Sequence, residues 1–175
     1  VDGGTGELKE ERALADGVVA NPGCGEKPAA QGEADQDAGE DLRGRYTYFT
    51  AMAKPVIAAI TGAAAGMGVP LALACDLRFM SDDAVITTSF AQRGLIAEWG
   101  LAWQLTRLCG PANARDLLFS ARKVKGQEAA RLGLVNQSLP ADQVLAAAQE
   151  YVRNLAAHSS PASLAVMKRQ VYDDL

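Results

Sequence analysis

The chain has 175 residues, which is enough for one domain with its own hydrophobic core. It is 49% hydrophobic and 22% charged, as ordinary globular proteins are, and its net charge of −4 gives no reason to expect a nucleic-acid partner. The single histidine, His158, and the widely spaced Cys24, Cys75 and Cys109 match no zinc pattern, so we expect no metal site and reduced thiols in a cytoplasmic protein.

The first 45 residues differ in composition from the rest of the chain. They hold 11 of the 21 acidic residues but 5 of the 17 basic ones, and they are rich in Gly, Ala, Asp, Glu and Gln. Such a composition buries little apolar surface, so residues 1–45 are predicted to be an acidic, low-complexity part that is mostly loop or disordered. A short strand at residues 17–20 is the exception. Residues 1–20 lack a basic start followed by an apolar run, so no signal peptide is predicted.

Residues 46–175 alternate short apolar runs with amphipathic stretches, which predicts an α/β class. Glycines and a proline interrupt the most apolar region, 55–75, so it is not predicted to span a membrane. The predicted strands cover residues 54–61, 76–81, 84–89 and 134–139. The predicted helices cover residues 46–53, the end of 62–75, 101–109, 113–122, 126–133, 141–158 and 160–175.

Two pairs of residues mark helix ends in this pattern. Gly110 and Pro111 predict a stop after residue 109, because glycine suits a helix end and proline cannot continue a helix. Ser160 and Pro161 predict the start of the last helix, with the serine as its cap.

The stretch TGAAAGMG, residues 61–68, follows a predicted strand and opens a predicted helix. That geometry supplies free backbone N–H groups and the positive end of a helix dipole. An enolising enzyme uses such groups as an oxyanion hole, and a dinucleotide-binding fold uses them to hold a pyrophosphate. A third interpretation is close packing of the helix on the strand, which needs only small residues.

The dinucleotide interpretation rests on the likeness of T-G-x-x-x-G-x-G to the short-chain dehydrogenase fingerprint, with Asp82 as a candidate ribose-binding acid. Two observations count against it. The motif follows another predicted helix instead of opening the fold, and no tyrosine has a lysine four residues later. This nucleotide-binding interpretation is therefore the less favoured alternative.

Five blocks stand in order between Lys54 and Leu139: KPVIAAITGAAAGMG, LALACDLRF, FAQRGLIAEWG, LTRLCG and EAARLGLVNQSLP. Together they resemble the crotonase family, the enoyl-CoA hydratases and isomerases, and their joint spacing is more specific than any one motif. The resemblance implies a spiral of ββα units followed by C-terminal helices. It also implies an acyl-CoA thioester as substrate, no tightly bound cofactor beyond the coenzyme A of that substrate, and a homotrimer or hexamer without nucleic-acid or membrane partners.

In that family, two backbone N–H groups bind the thioester oxygen as it becomes an enolate. The resemblance implies that one of them is the N–H of Met67, with Gly68 in the same catalytic turn and Gly66 against the substrate. The second should come from a Ser/Cys-Ala-Gly-x-Asp-like loop, for which residues 22–26, PGCGE, are a poor match. The second donor of the oxyanion hole therefore lacks a convincing candidate. Losing one such donor typically lowers the rate by about 10²–10³.

The acids decide which chemistry the resemblance implies. Hydratases of the family use two glutamates, and the matching positions here are Pro70 and Phe90, neither of which exchanges a proton. Glu98 stands where several isomerases carry a lone acid, on a GL-x-x-[DE]-x-G turn. The resemblance therefore implies that Glu98 removes a proton from C2 of a 3-enoyl-CoA and returns one at C4.

The neighbours of Glu98 act on its charge in opposite directions. The apolar Ile96 and Trp99 disfavour the ionised form, and the start of the following helix favours it. The alternative role of Glu98 is that of an acid stabilising this helix from its N-terminal end.

Three aromatic residues and a basic cluster complete the candidate site. Phe90, Trp99 and Trp103 are predicted to contact the substrate, the two tryptophans as walls of the core or of an acyl pocket. The basic cluster of Arg122, Lys123 and Lys125 could meet coenzyme A phosphates or form a solvated turn.

The sequence as a whole predicts an enzyme that shifts a double bond in an enoyl-CoA thioester, with Glu98 as the acid and base. The alternative is a truncated, non-catalytic member of the family that keeps only the fold and the oligomer contacts.

Overall fold

The structure is a computed structural model and describes residues 48–173. The predictions for residues 1–45, including the strand at 17–20 and the boundary near residue 45, lie outside the described residues. So does the PGCGE stretch.

The described chain contains the predicted strands and helices in the predicted order, with two short strands, β2 and β5, in addition. The strands are β1 (Ile57–Ile60), β2 (Ala64–Ala65), β3 (Leu77–Ser81), β4 (Val85–Thr87), β5 (Val124–Lys125) and β6 (Gln137–Leu139). The helices are α1 (Tyr48–Ala51), α2 (Gly68–Ala74), α3 (Leu101–Ser120), α4 (Gly126–Arg131), α5 (Val144–His158) and α6 (Pro161–Asp173), with a short 3-10 helix at Ala91–Arg93. The two strands predicted at 76–81 and 84–89 are β3 and β4, and the predicted run 134–139 forms a strand only at its end.

The strands from β1 to β4 alternate between two sheets. One sheet has the order β1-β3-β6 with all strands parallel, and the other has the order β2-β4-β5, in which β2 and β4 are parallel and β5 is antiparallel to β4. From β1 to α3, the chain therefore runs twice through a strand in the first sheet, a strand in the second and a helix. This repetition winds the chain into a spiral of ββα units.

The strand β1 is buried on both faces, as parallel strands between layers are. Ala58 and Ile60 point into the main hydrophobic core, which also contains Leu101 and Leu105 of α3. Ile57 and Ala59 point the other way, into a second cluster with Val144 and Ala148 of α5. Because side chains alternate along a strand, one run of four apolar residues serves two cores.

Two helix ends follow the predicted signals. Gly110 has φ 76 and ψ 163, so the helical geometry of α3 breaks there, and Pro111 opens its second half. The N–H of Ser163 donates to Oγ of Ser160 at 3.4 Å, which is the predicted cap of α6. Both predictions are confirmed.

A buried polar network fastens α6 to the rest of the chain. The Lys168 Nζ lies 2.7 Å from Oδ2 of Asp76 and donates to the carbonyl oxygens of Phe49 (2.6 Å) and Lys54 (3.2 Å). The Tyr172 hydroxyl donates to Oδ1 of Asp76 at 3.2 Å. Asp76 thereby links the start of β3 to the last helix.

Arg78 forms a second buried anchor. Its guanidinium donates to the carbonyl oxygens of Leu134 (2.7 Å), Cys75 (2.5 Å) and Leu73 (3.3 Å), so it joins β3 to the end of α2 and to the segment before β6. Burial lowers the pKa of Arg78 from its ordinary value, an effect that the nearby Cys75, Tyr172 and Asp76 oppose.

Within residues 48–173, none of the helices combines the length and the apolar character that crossing a membrane takes.

Candidate active site

The glycine turn presents a free backbone donor at Met67. Gly66 has φ +52, a left-handed conformation that glycine adopts without strain, and its N–H donates to the Thr87 carbonyl oxygen of β4 at 3.1 Å. The Gly66 carbonyl oxygen accepts from the N–H of Val69 at 3.1 Å. Between them, the N–H of Met67 donates to no group among the described residues. The turn is thus held from both sides while one N–H stays available.

The space beside the glycines is open. A Cβ built on Gly66 or on Gly68 would meet no atom within 4 Å. Close packing of the helix on the strand therefore does not explain glycine at these two positions. The Met67 side chain itself packs against the main core, so its backbone is anchored.

The Glu98 turn has an unusual backbone. Trp99 has φ 55 and the next residue, Gly100, has φ 69, and the Leu101 N–H donates to the Glu98 carbonyl oxygen at 3.1 Å. Two successive left-handed residues closed by this bond form a tight turn of the I′ type directly before α3. A left-handed conformation is strained for a bulky residue such as Trp99, and such strain is concentrated at functional sites.

Glu98 is exposed, and its carboxylate takes part in no ion pair or hydrogen bond of residues 48–173. Its predicted apolar neighbours enclose it less than expected, because Ile96 is 78% exposed and Trp99 is half-buried. Glu98 also lies three residues before the first residue of α3, whose first turn contains no acid. The effect of a helix dipole fades within the first turn, so the structure offers little support for the alternative role of Glu98 as a helix-stabilising acid.

The two positions at which a hydratase would carry glutamates belong to the interior. Pro70 is fully buried in α2, and Phe90 is 6% exposed and packs in the main core. The carbonyl oxygen of Phe90 accepts from the N–H groups of Arg93 and Leu95, at 2.9 and 3.0 Å, so Phe90 also organises the segment leading to Glu98. A contact between Phe90 and an acyl group stays a prediction.

The two tryptophans do not belong to the hydrophobic core, and the interpretation as core residues is wrong for both. Trp103 is 39% exposed, and the Arg107 guanidinium carbon lies 4.6 Å from its ring centroid. Trp99 is half-buried in the left-handed turn. Whether either tryptophan contacts an acyl group stays a prediction.

The predicted basic cluster is largely neutralised by carboxylates. Arg122 bridges Asp116 and Glu128, with N–O distances of 2.8 Å to each, and Lys125 lies 3.6 Å from Asp83. The hydrogen bonds to Asp116 and Glu128 raise the pKa of Arg122. These contacts favour the interpretation as a solvated turn over a phosphate site.

Asp82, the candidate ribose-binding acid, has a structural role. Its carboxylate accepts a hydrogen bond from Oγ of Ser138, and its N–H donates to the Leu139 carbonyl oxygen at 2.8 Å. Asp82 therefore fastens the end of β3 to β6.

One buried polar residue near the Glu98 turn, Gln104, is not among the predicted site residues. Gln104 is 6% exposed, and its Oε1 has no hydrogen-bond partner among residues 48–173. The signal was present, because Leu101, Gln104, Leu105 and Leu108 follow the helical spacing i, i+3, i+4, i+7. A glutamine in an otherwise apolar stripe is a break in the pattern that calls for an explanation.

Comparison with known proteins adds a family assignment to this geometry. A family model described as enoyl-CoA hydratase/isomerase matches residues 11–175. Carnitinyl-CoA dehydratase of Proteus mirabilis (strain HI4320) is 36% identical over 143 residues, which are 81% of this chain and 54% of that protein. The chain spans about half the length of the curated relatives it matches.

Solved structures give similar matches. An enoyl-CoA hydratase of Mycobacterium marinum is 47% identical with a TM-score of 0.68, over 73% of this chain and 64% of that chain. A monofunctional enoyl-CoA isomerase of M. smegmatis is 32% identical with a TM-score of 0.68, over 74% of this chain and 60% of that chain.

Proposed function

The chain belongs to the enoyl-CoA hydratase/isomerase family, and from this premise we propose that it binds acyl-CoA thioesters and transfers protons at their C2 carbon. The family match supports an acyl-CoA thioester as the substrate class. It also favours an oxyanion hole over a dinucleotide-binding site at the glycine turn. Coenzyme A enters as part of the substrate, and no tightly bound cofactor is proposed.

The proposed reaction is isomerase chemistry. Glu98 removes a proton from C2 of a 3-enoyl-CoA, the electron pair forms an enolate at the thioester, and the Met67 N–H stabilises the oxygen that gains charge. The same carboxyl group then returns the proton at C4, and the double bond moves from C3–C4 to C2–C3. Atoms and charge balance without water or a further reactant.

Two observations support isomerisation over hydration. Hydration needs one group to activate water and another to deliver a proton, and both family positions for such acids hold buried apolar side chains, Pro70 and Phe90. Isomerisation needs one carboxylate, and that of Glu98 has no ion pair among residues 48–173. A base must be free to accept a proton, so Glu98 meets this requirement.

Replacement of Glu98 by Gln tests the proposal. We expect exchange of the C2 hydrogen of an acyl-CoA with deuterated water to fall by about 10²–10⁴, because the amide is not a base. Acyl-CoA binding, measured by calorimetry, should stay unchanged. The matched control is Glu150→Gln, which removes an exposed acid paired with Arg153 at 2.8 Å. Exchange at the wild-type rate in Glu98→Gln would contradict the assignment.

The alternative is a non-catalytic member of the family, which the apolar Pro70 and Phe90 at the two hydratase positions also fit. The same experiment decides it, because a wild-type chain that binds acyl-CoA without exchanging C2 hydrogen would favour this alternative. We also propose the homotrimeric or hexameric state of the family, which a mass measurement in solution checks. Exposed apolar side chains on α6, Val166, Met167 and Val171, support association.

A further inference from the structure

Thr87, at the end of β4, connects the glycine turn to the far end of α3. Its carbonyl oxygen accepts the hydrogen bond that the Gly66 N–H donates at 3.1 Å, and its hydroxyl donates to the carbonyl oxygen of Ala121 at 2.8 Å. Gly66 directly precedes Met67, whose N–H is the proposed oxyanion donor. One residue therefore joins this donor to a helix end that lies 34 residues further along the chain.

The end of α3 is a fixed support for the Thr87 hydroxyl. Ala121 is 2% exposed and has φ 47, and its N–H donates to the Leu117 carbonyl oxygen at 3.1 Å, which closes the helix. Leu117 is buried in the main core. Because closely packed interiors yield little, the Ala121 carbonyl group stays in place and the hydrogen bond fixes the position of Thr87.

Ser89 secures the same hydroxyl from its other side. Its Oγ lies 3.2 Å from Oγ1 of Thr87. The single hydroxyl proton of Thr87 is engaged with Ala121, so Ser89 is the donor of this second bond. Ser89 is buried and has φ 58, a left-handed conformation that is uncommon for a serine. In this conformation its hydroxyl reaches Thr87.

The direction of the Met67 N–H depends on how Gly66 is held. This N–H belongs to the planar peptide group that follows Gly66, whose carbonyl oxygen accepts from the N–H of Val69 at 3.1 Å. That bond joins the turn only to its own helix. Glycine has wide conformational freedom, so the turn also needs the bond from the Gly66 N–H to Thr87 to keep its orientation relative to β4.

We propose that Thr87 is a positioning residue that directs the Met67 N–H at the thioester oxygen. It acts through its own carbonyl oxygen and Gly66, and a contact between Thr87 and the substrate is not required. An oxyanion donor is effective only when it points at the position where the negative charge develops. The inference rests on the proposed function, because it takes the Met67 N–H as that donor.

The test is Thr87→Val, which keeps a β-branched side chain suited to a strand and removes the hydroxyl. The matched control is Thr88→Val. Thr88 also ties this segment to α3, with 2.9 Å between its Oγ1 and the Leu117 carbonyl oxygen, but the bond to Gly66 belongs to Thr87. Thr87→Ser keeps the hydroxyl and should restore the behaviour of the wild type. Melting temperatures establish that all variants are compared in the folded state.

The first measurement is the infrared stretching frequency of the thioester carbonyl group in bound butyryl-CoA, isotopically labelled at the carbonyl carbon. A hydrogen bond to this oxygen weakens the C=O bond and lowers the frequency. We expect the frequency to fall equally on binding to the wild type, Thr87→Ser and Thr88→Val, and to fall less on binding to Thr87→Val. A merely structural role of Thr87 would not change this frequency.

The second measurement is exchange of the C2 hydrogen of butyryl-CoA with deuterated water. We expect kcat for exchange to fall about tenfold in Thr87→Val with KM nearly unchanged. This is less than the effect of losing a donor, because the Met67 N–H is misdirected but still present. In the Met67→Pro background, Thr87→Val should cause no further decrease, because the donor that it positions is absent.

The outcomes separate this inference from the proposed function. If the wild type lowers the carbonyl frequency and exchanges C2 hydrogen, but Thr87→Val equals it in both, the proposed function stands and the inference fails. Equal decreases in Thr87→Val and Thr88→Val also overturn the inference, as does a further decrease in the Met67→Pro background. If the wild type binds butyryl-CoA without lowering the carbonyl frequency, both fail.

Discussion

At the residue scale, the candidate site depends on backbone groups as much as on side chains. The Met67 N–H is unpaired among residues 48–173, between a left-handed glycine and the start of α2. Its role does not require a methionine, because the donor belongs to the backbone. Substitution of the side chain alone is therefore a poor test of this position.

Proline at position 67 removes the donor itself. Met67 has φ −64, which matches the angle that proline imposes, so Met67→Pro should fold. We expect C2 exchange to fall by about 10²–10³, the usual effect of losing one oxyanion donor. Met67→Ala is the control, since it removes the side chain and keeps the N–H. Equal activity of the two variants would exclude Met67 as a donor.

At the element scale, α6 is held to the core by a buried ion pair rather than by an apolar face. Lys168 is 8% exposed, and its ammonium group meets one carboxylate and two carbonyl oxygens. The neighbouring Val166, Met167 and Val171 are exposed. Attachment of the last helix to the strand layer thus depends on Asp76.

Lys168→Met should destabilise the protein strongly. The substitution leaves the Asp76 carboxylate buried without its cation, which typically costs about 3–5 kcal/mol. Urea denaturation measures the free energy of unfolding. Lys125→Met provides the comparison, since it breaks the exposed pair with Asp83, and pairs of that kind contribute about 0–1 kcal/mol. Similar decreases in the free energy of unfolding of both variants would show that the buried ion pair contributes no more to stability than the exposed one.

Local sequence signals predicted the elements well where they depend on neighbouring residues. The break at Gly110, the Ser160 cap and the strands β1, β3 and β4 follow from residue types within a few positions of each feature. The α/β class and the crotonase-like spiral are confirmed by the solved structures of the family. The two-residue strands β2 and β5 were not predicted, because so short a strand is defined by its partner rather than by its own composition.

At the scale of the whole molecule, stability should depend on pH through Tyr172. Burial raises the pKa of its hydroxyl above the ordinary value of 10.0, and the adjacent Asp76 carboxylate raises it further. The folded state therefore holds this proton more tightly than the unfolded state does. The stabilising contribution is complete below the unfolded pKa and is lost as pH rises through the folded one. Burial raises the pKa of Cys109 as well, which acts in the same direction.

We expect the free energy of unfolding of the wild type to fall between about pH 9 and about pH 11, and to fall less in Tyr172→Phe. Urea denaturation across this range provides the measurement. Tyr151→Phe serves as the control, since the ring of Tyr151 is 40% exposed. If the free energy of unfolding depends on pH in the same way in the wild type and in Tyr172→Phe, Tyr172 is not the cause of the decrease.

The family, the main strands and helices and the lack of acids at positions 70 and 90 could be predicted from the amino-acid sequence, because they depend on residue identity and on short-range spacing. The surroundings of each candidate site residue emerged only in the folded chain. The tertiary structure left Glu98 and Trp103 exposed, buried Phe90, and engaged Arg122 and Asp82 in structural contacts. It also shows that Oε1 of the buried Gln104 has no hydrogen-bond partner among residues 48–173. The physical reason is that burial and hydrogen-bond partners come from residues distant along the chain, which local spacing does not specify.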